Sequence, residues 1–214
     1  MLSPAVQDYL KAIFTLQEKT SVVATNDIAR AMKVSAASVT GMIKRLDRMQ
    51  LVVYESYKGV TLTEAGEKIA LEIIRHHRLL ETYLKEVMGY SWQKMHEEAE
   101  HLEHHISEDF EQRIDALLGY PTHDPHGHPI PTQDLSLVHA ETITLAEAPV
   151  DESLVIHHVS DEDTALLHLL EQIGLMPGCR VHIVVRDENG TKIQVGGREE
   201  FVGEAVTRGV HVMA

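Results

Sequence analysis

Cysteine is almost absent from this chain, and so are long apolar runs and the short signatures of hydrolases and nucleotide enzymes. The one cysteine, Cys179, excludes an internal disulfide and a thiolate-rich metal site, and fits a reducing cytoplasm. No apolar stretch approaches the roughly 18 residues that would span a bilayer, so no membrane segment is expected. The opening residues have no basic region followed by an apolar one, so no signal peptide is expected. There is no internal repeat and no low-complexity tract. A zinc-protease helix needs His-Glu-x-x-His, but His96-Glu97-Glu98-Ala99-Glu100 closes on glutamate. A ferritin-like di-iron centre needs two Glu-x-x-His motifs, and this chain has one, Glu98 to His101. Neither a Gly-x-Ser-x-Gly elbow nor a phosphate loop occurs. An enzyme is not expected.

What the chain has in abundance is histidine and carboxylate. It carries 15 histidines, eight of them between His76 and His126, and a net charge of −14. The charge is unevenly placed. Residues 1–75 hold ten Lys/Arg against eight Asp/Glu, whereas the remainder holds nine against twenty-five. A weakly basic head on an acidic body suits a protein whose head alone meets phosphate, once a cation neutralises the body. With 214 residues there is room for two small domains or one large one.

The densest chemistry lies between His96 and His105. Read as one continuous helix from a Ser91 cap to Gly119, this segment places Glu100, Glu103 and His104 at i, i+3 and i+4. Two carboxylates and an imidazole on one face can bind a divalent cation if a further ligand arrives from elsewhere. Met95, Ala99, Leu102, Ile106 and Phe110 form an apolar stripe beside that face, available for packing. The bland alternative is a solvated charged face. His101 and His105 point off the ligand face, and His157, His158, His168, His182 and His211 have no paired carboxylates, so these are read as structural or surface residues.

The first 63 residues read as helix, short helix, turn, helix and β-hairpin. Ser3-Pro4 opens the first helix, Thr25-Asn26-Asp27 the second, and Ser35 caps the third. Leu51–Tyr54 and Val60–Thr63 form the hairpin around Tyr57-Lys58-Gly59. That order is a winged helix-turn-helix. Its third helix presents Ser35, Ala36, Ala37, Ser38 and Thr40 to base edges, while Lys44, Arg45 and Arg48, with Lys58 on the wing, suit phosphates. A winged helix used only for protein contacts is the rival reading. The domains are expected at 1–63 (winged helix-turn-helix), 64–120 (helical), 121–141 (Pro/His/Gly-rich linker) and 142–214 (small β-barrel). The last domain is expected to hold short strands, one helix from Asp161 to Gln172, and a hairpin tip at Asn189-Gly190.

These features together resemble the diphtheria toxin repressor family of metal-dependent transcriptional regulators. The residues carrying the resemblance include Asp8-Tyr9-Leu10, Ser38-Val39-Thr40, Leu46 with Leu51-Val52, and Leu62-Thr63-x-x-Gly66. Others are Arg75-His76-His77-Arg78-x-x-Glu81, the His96–His105 segment, Asp124-Pro125-His126-Gly127-x-Pro129-Ile130-Pro131, and Ile173-Gly174-Leu175-x-Pro177-Gly178. Each is weak alone, but in order they cover essentially the whole chain. The resemblance implies a mainly α homodimer, with a helical dimerisation and metal-binding domain and a C-terminal SH3-like β-barrel. It implies a primary metal site of Asp8, Glu100, Glu103 and His104. It implies a second site of His77, Glu81 and His96, with Asp124, His126 and Glu162 as contributors.

Two departures bear on the metal. Iron-responsive members commonly carry Met and Cys where this chain has Asp8 and Glu100, and hard carboxylates favour Mn(II). Manganese-type members commonly carry Glu where this chain has Lys11, and an ammonium there repels a second, closely spaced cation. The expectation is a cytoplasmic, homodimeric, Mn(II)-sensing repressor that binds a palindromic double-stranded DNA operator and controls metal-homeostasis genes such as uptake transporters. An Fe(II)-dependent repressor, or a winged-helix regulator sensing a non-metal ligand, is the alternative.

Overall fold

The computed structural model describes residues 2–138, 140–161, 163–188 and 190–213. Two compact units emerge. The first comprises Met1–His77, Glu103–Ile106 and Pro131–Ser136, and the second Arg78–Leu102, Ser107–Ile130 and Leu137–Ala214.

In the first unit, α1 (Pro4–Gln17), α2 (Thr25–Ala31) and α3 (Ala36–Arg48) precede the hairpin of β1 (Val52–Glu55) and β2 (Gly59–Leu62). This is the winged helix-turn-helix order. Proline at its first position opens α1, which buries Val6, Tyr9, Leu10 and Ile13. Ser35 caps α3, its hydroxyl accepting from the Ser38 amide at 3.2 Å. The buried stripe of α3, Val39, Ile43 and Leu46, packs into the same core as Ile28, Val23 and Val60. Each such side chain contributes roughly 1.5–3 kcal/mol by leaving water. The outer face of α3 is left to the polar and basic residues. The wing closes on Gly59, whose φ of +134° suits glycine and where a Cβ would stand 2.6 Å from the Val23 carbonyl oxygen. Helix α4 (Glu64–Glu86) follows and supplies residues to both units.

The second unit holds α5 (Trp92–Leu102), α6 (Glu108–Leu117), β3 (Thr142–Thr144), β4 (Ser153–Val159), α7 (Thr164–Ile173), β5 (Arg180–Asp187), β6 (Gly190–Val195), β7 (Arg198–Val202), α8 (Glu204–Gly209) and β8 (Val210–Met213). Its strands make one antiparallel, SH3-like sheet in the order β3-β8-β4-β5-β6-β7. The short helix α8 was not expected. The Asn189 half of the expected Asn-Gly tip lies outside the described residues.

One expectation is corrected. The single helix from Ser91 to Gly119 is two helices, broken between Leu102 and Glu108. Ser107 is extended and caps α6, its side chain accepting from the Phe110 amide, and three carboxylates in the first turn suit that N-terminus. The common helical face of Glu100, Glu103 and His104 therefore does not exist. Glu100 ends α5, whereas Glu103 and His104 lie in the turn after it. Phe110, the last residue of the expected apolar stripe, is exposed.

The Pro/His/Gly-rich stretch is a hydrogen-bonded loop. Asp124 Oδ1 accepts from the His128 amide at 2.9 Å, and the Gly127 amide donates to the Asp124 carbonyl. Gly127, at φ +88°, passes so close to β4 that a Cβ would stand 2.1 Å from the His157 carbonyl oxygen. The loop thereby buries Asp124 and His126.

Candidate metal centres and DNA-binding face

In the first unit the break after α5 brings Glu103 and His104 to the Asp8 face of α1. Ligand atoms of Asp8, Glu103 and His104 lie within 4.8 Å of one another. His104 Nε2 is 2.8 Å from Asp8 Oδ1 and 3.6 Å from Glu103 Oε1. On the other side of the ring, His104 Nδ1 lies 2.9 Å from Gln7 Oε1. Nε2 faces Asp8 Oδ1 at hydrogen-bond distance, so a metal bound there would replace a proton, while the Gln7 carbonyl would keep Nδ1 protonated and the ring oriented. Gln7 was not among the expected site residues, and its adjacency to Asp8 was the sole signal.

Glu103 is 2 % exposed and heavily partnered. Lys11 Nζ donates to both carboxylate oxygens, at 3.0 and 2.8 Å, and lies 3.3 Å from His77 Nδ1. His77 Nδ1 is 2.5 Å from Glu103 Oε2, and His76 Nδ1 is 3.0 Å from the Glu103 carbonyl oxygen. Burial pushes the Glu103 carboxyl up, but His77 and Lys11 together outweigh it and hold the group down at about 2. These two partners therefore hold Glu103 as an anion. His77, expected as a second-site ligand, also contacts Glu103.

In the second unit, ligand atoms of Glu81, His96 and His126 also lie within 4.8 Å of one another. Glu81 is fully buried on α4, with Oε1 2.8 Å from His96 Nδ1 and Oε2 3.3 Å from His126 Nδ1. The loop geometry around Gly127 delivers His126 to this point. His126 is fully buried, yet neither ring nitrogen makes a hydrogen bond among the described residues. Nδ1 has the long ion pair to Glu81 and Nε2 has no hydrogen bond among the described residues, and a divalent cation could take that nitrogen. Burial pushes the His126 imidazole down, but Glu81, Asp124 and Asp161 outweigh it and raise it to about 9. The cluster is thus organised to hold positive charge.

Asp161 was missed in the sequence. Its carboxylate lies 3.5 Å from His128 Nδ1; burial pushes it up, but His128, His126 and His96 hold it far below the ordinary range. Its neighbour Glu162, an expected contributor, lies outside the described residues. Asp124 is buried, with Oδ2 3.6 Å from both Arg78 Nε and His128 Nδ1. Glu100 is exposed, 3.9 Å from His96 Nε2.

On the recognition helix, Ser35, Ala36, Ala37 and Ser38 are exposed at the N-terminal end, as are Lys44, Arg45 and Arg48 further along. The Ser35 and Ser38 hydroxyls are 2.9 Å apart, and Thr40 Oγ1 donates to the Ala36 carbonyl at 2.9 Å. On the wing, Lys58 pairs with Glu55 at 2.5 Å beside a fully exposed Tyr57. Small side chains at the tip and exposed cations behind it match a surface that approaches base edges and phosphates. Among the described residues, no helix is long and apolar enough to cross a membrane.

Comparison with known proteins agrees with this organisation. Residues 1–60 match the iron-dependent repressor N-terminal DNA-binding domain, residues 63–132 the iron-dependent repressor metal-binding and dimerisation domain, and residues 143–213 the FeoA domain. The iron-dependent repressor IdeR of Mycobacterium leprae is 30% identical over 204 residues, spanning 89% of this chain and 88% of its own. The HTH-type transcriptional regulator MntR of Bacillus subtilis is 36% identical over 120 residues, 56% of this chain and 84% of that protein. A manganese-dependent transcriptional repressor solved in complex with manganese superposes with a TM-score of 0.90 at 34% identity, covering 98% of this chain and 99% of that one. ScaR with bound Cd2+ gives 0.84 at 33% identity, covering 97% and 98%. These relatives are DNA-binding regulators, not enzymes.

Proposed function

The chain belongs to the diphtheria toxin repressor family of metal-dependent transcriptional repressors, and from that premise we propose that it is a cytoplasmic, Mn(II)-responsive homodimer that represses metal-homeostasis genes. The observation carrying this reading is the placement of His104 Nε2 between the carboxylates of Asp8 and Glu103. Two hard oxygens and one imidazole, with no thiolate in reach, favour Mn(II); Fe(II) is the alternative, since both manganese and iron regulators are relatives.

Asp8 on α1 and Glu103 and His104 in the turn after α5 would hold the ion. Bound there, a divalent ion supplies positive charge that neutralises the carboxylates. Asp8 of α1, part of the DNA-binding core, and Glu103 and His104 of the segment that leaves α5 would then share one ion. Gln7, 2.9 Å from Nδ1, would hold the His104 ring while Nε2 exchanges its proton for metal. Glu81, His96 and His126 form a second site, with Asp161 and Asp124 beside it.

Metal favours the DNA-competent arrangement, and by linkage DNA tightens metal binding. Dimer symmetry calls for a palindromic operator with half-sites about one helical turn, or a multiple, apart. Ser35, Ala36, Ala37, Ser38 and Thr40 read bases, and Lys44, Arg45 and Lys58 contact phosphates.

The test is binding to the protein's own promoter region, titrated separately with Mn(II), anaerobic Fe(II) and Zn(II). Activation by Mn(II) at concentrations where Fe(II) is no better supports the reading. Activation by Fe(II) alone moves the protein to the iron branch, and metal-independent binding defeats the proposal.

A further inference from the structure

The expected repulsion between Lys11 and a second cation accounts for only part of what Lys11 does. Its ammonium donates to both oxygens of Glu103 and lies 3.3 Å from His77 Nδ1, so it already neutralises the carboxylate that an ion at Asp8 and His104 would share. We propose that Lys11 is a resident cation of the first site, which metal must displace from Glu103, so that it sets the metal threshold and limits that site to one ion. This inference rests on the assignment of Asp8, Glu103 and His104 as metal ligands.

Glu103 Oε1 faces two ways, toward Lys11 at 3.0 Å and toward His104 Nε2 at 3.6 Å. A carboxylate oxygen has two lone pairs, so a metal can reach Oε1 from the Asp8 and His104 side. With a metal–oxygen bond of about 2.2 Å, however, the ion would stand no more than about 5 Å from Lys11 Nζ. At that separation, even in a water-like dielectric, the repulsion between a divalent ion and an ammonium is worth roughly tenfold in affinity.

The ammonium can yield. Lys11 keeps 23 % of its side chain exposed, so it has a path to solvent while Glu103 does not. A second ion seeking Oε2 and His77 meets the ammonium there, 2.8 and 3.3 Å away. The site's charge balance therefore already contains a cation, and metal entry is an exchange.

The test is a Mn(II) titration of the full chain, followed by the electron paramagnetic resonance signal of free Mn(II). Lys11→Gln should bind the Asp8-dependent ion about tenfold more tightly, whereas Lys11→Arg should keep the wild-type affinity. Lys11→Glu should take up one additional Mn(II) per subunit. Unchanged affinity in Lys11→Gln, equal tightening in Lys11→Arg, or no added ion in Lys11→Glu overturns the proposal. In the unmodified protein, acetylation of Lys11 read by mass spectrometry should rise relative to Lys19 when Mn(II) is added; unchanged or reduced labelling overturns it without any variant. Asp8→Ala tests the underlying assignment. If Asp8→Ala binds as many ions as wild type, the site assignment fails and this inference with it. If Asp8→Ala loses an ion but Lys11→Gln behaves as wild type, only the inference fails.

Discussion

Replacing Glu103 by glutamine tests the electrostatics of the first site without emptying the space it fills. The side chain is 2 % exposed and its carboxyl is held down at about 2, against an ordinary 4.5, by His77 and Lys11 acting against burial. At about 1.36 kcal/mol per pH unit, that difference corresponds to roughly 3 kcal/mol of stability at neutral pH. A carboxyl held low in the folded state contributes its full stabilisation above about 4.5, and the contribution drains away as pH falls toward about 2. In metal-free protein kept in chelator, Glu103→Gln should therefore be less stable by roughly 3 kcal/mol at pH 7, read from urea unfolding by circular dichroism. The gap should narrow below pH 4.5, because the unfolded wild-type chain then takes up a proton at Glu103 that the folded state does not bind until about 2. Equal stability at pH 7, or a gap that stays constant down to pH 3, would refute the claim that Glu103 is a buried anion held by these two partners.

Three further outcomes follow from other parts of the molecule. Gly66→Ala would place a Cβ 2.0 Å from the Leu51 backbone oxygen, which cannot move aside, so the winged-helix unit should lose roughly 3 kcal/mol in urea unfolding; an unchanged midpoint contradicts the packing described. His126 is raised from 6.5 to about 9, so its stabilisation of the metal-free protein is complete below about 6.5 and is lost as pH rises through 9. Melting temperature should fall over that window, less so in His126→Asn, and an identical decline in the two proteins counts against the assignment. Lys44→Ala should weaken DNA binding alike on all sequences and reduce the salt dependence by about one ion, whereas Ser38→Ala should change operator preference; matching behaviour of the two variants would mean the DNA face is misplaced.

Local pattern made much of the fold legible. The spacing of Val6, Leu10 and Ile13 marked α1, Ser35 marked the start of α3, and the β-rich run from Ser153 to Val159 is β4. The break after Leu102 was hidden because Ile106 and Phe110 continue the helical apolar period. The contrary signal, Ser107 followed by two acidic residues, is a local cap that the longer periodicity overrode. In the candidate sites, Glu103 and His104 stood out as adjacent ligand types, although the helical spacing that grouped them with Glu100 is absent. What spacing cannot show is which distant residues meet. Lys11 and Glu103 are 92 positions apart, and Gln7 and His104 are 97 apart. Asp161 was not singled out because its place beside His128 depends on how the chain enters α7, which local pattern does not show.

The central claim is that a divalent ion at Asp8, Glu103 and His104 switches DNA binding. The most direct measurement is fluorescence anisotropy of the protein's own promoter DNA during a Mn(II) titration, comparing wild type with Asp8→Ala. Asp8 is half-exposed and its removal leaves the buried Glu103, Lys11 and His77 contacts in place, so the variant should stay folded. The account predicts that Mn(II) tightens wild-type binding and leaves Asp8→Ala at its metal-free affinity. A variant that tightens on DNA at the wild-type Mn(II) concentration would contradict it.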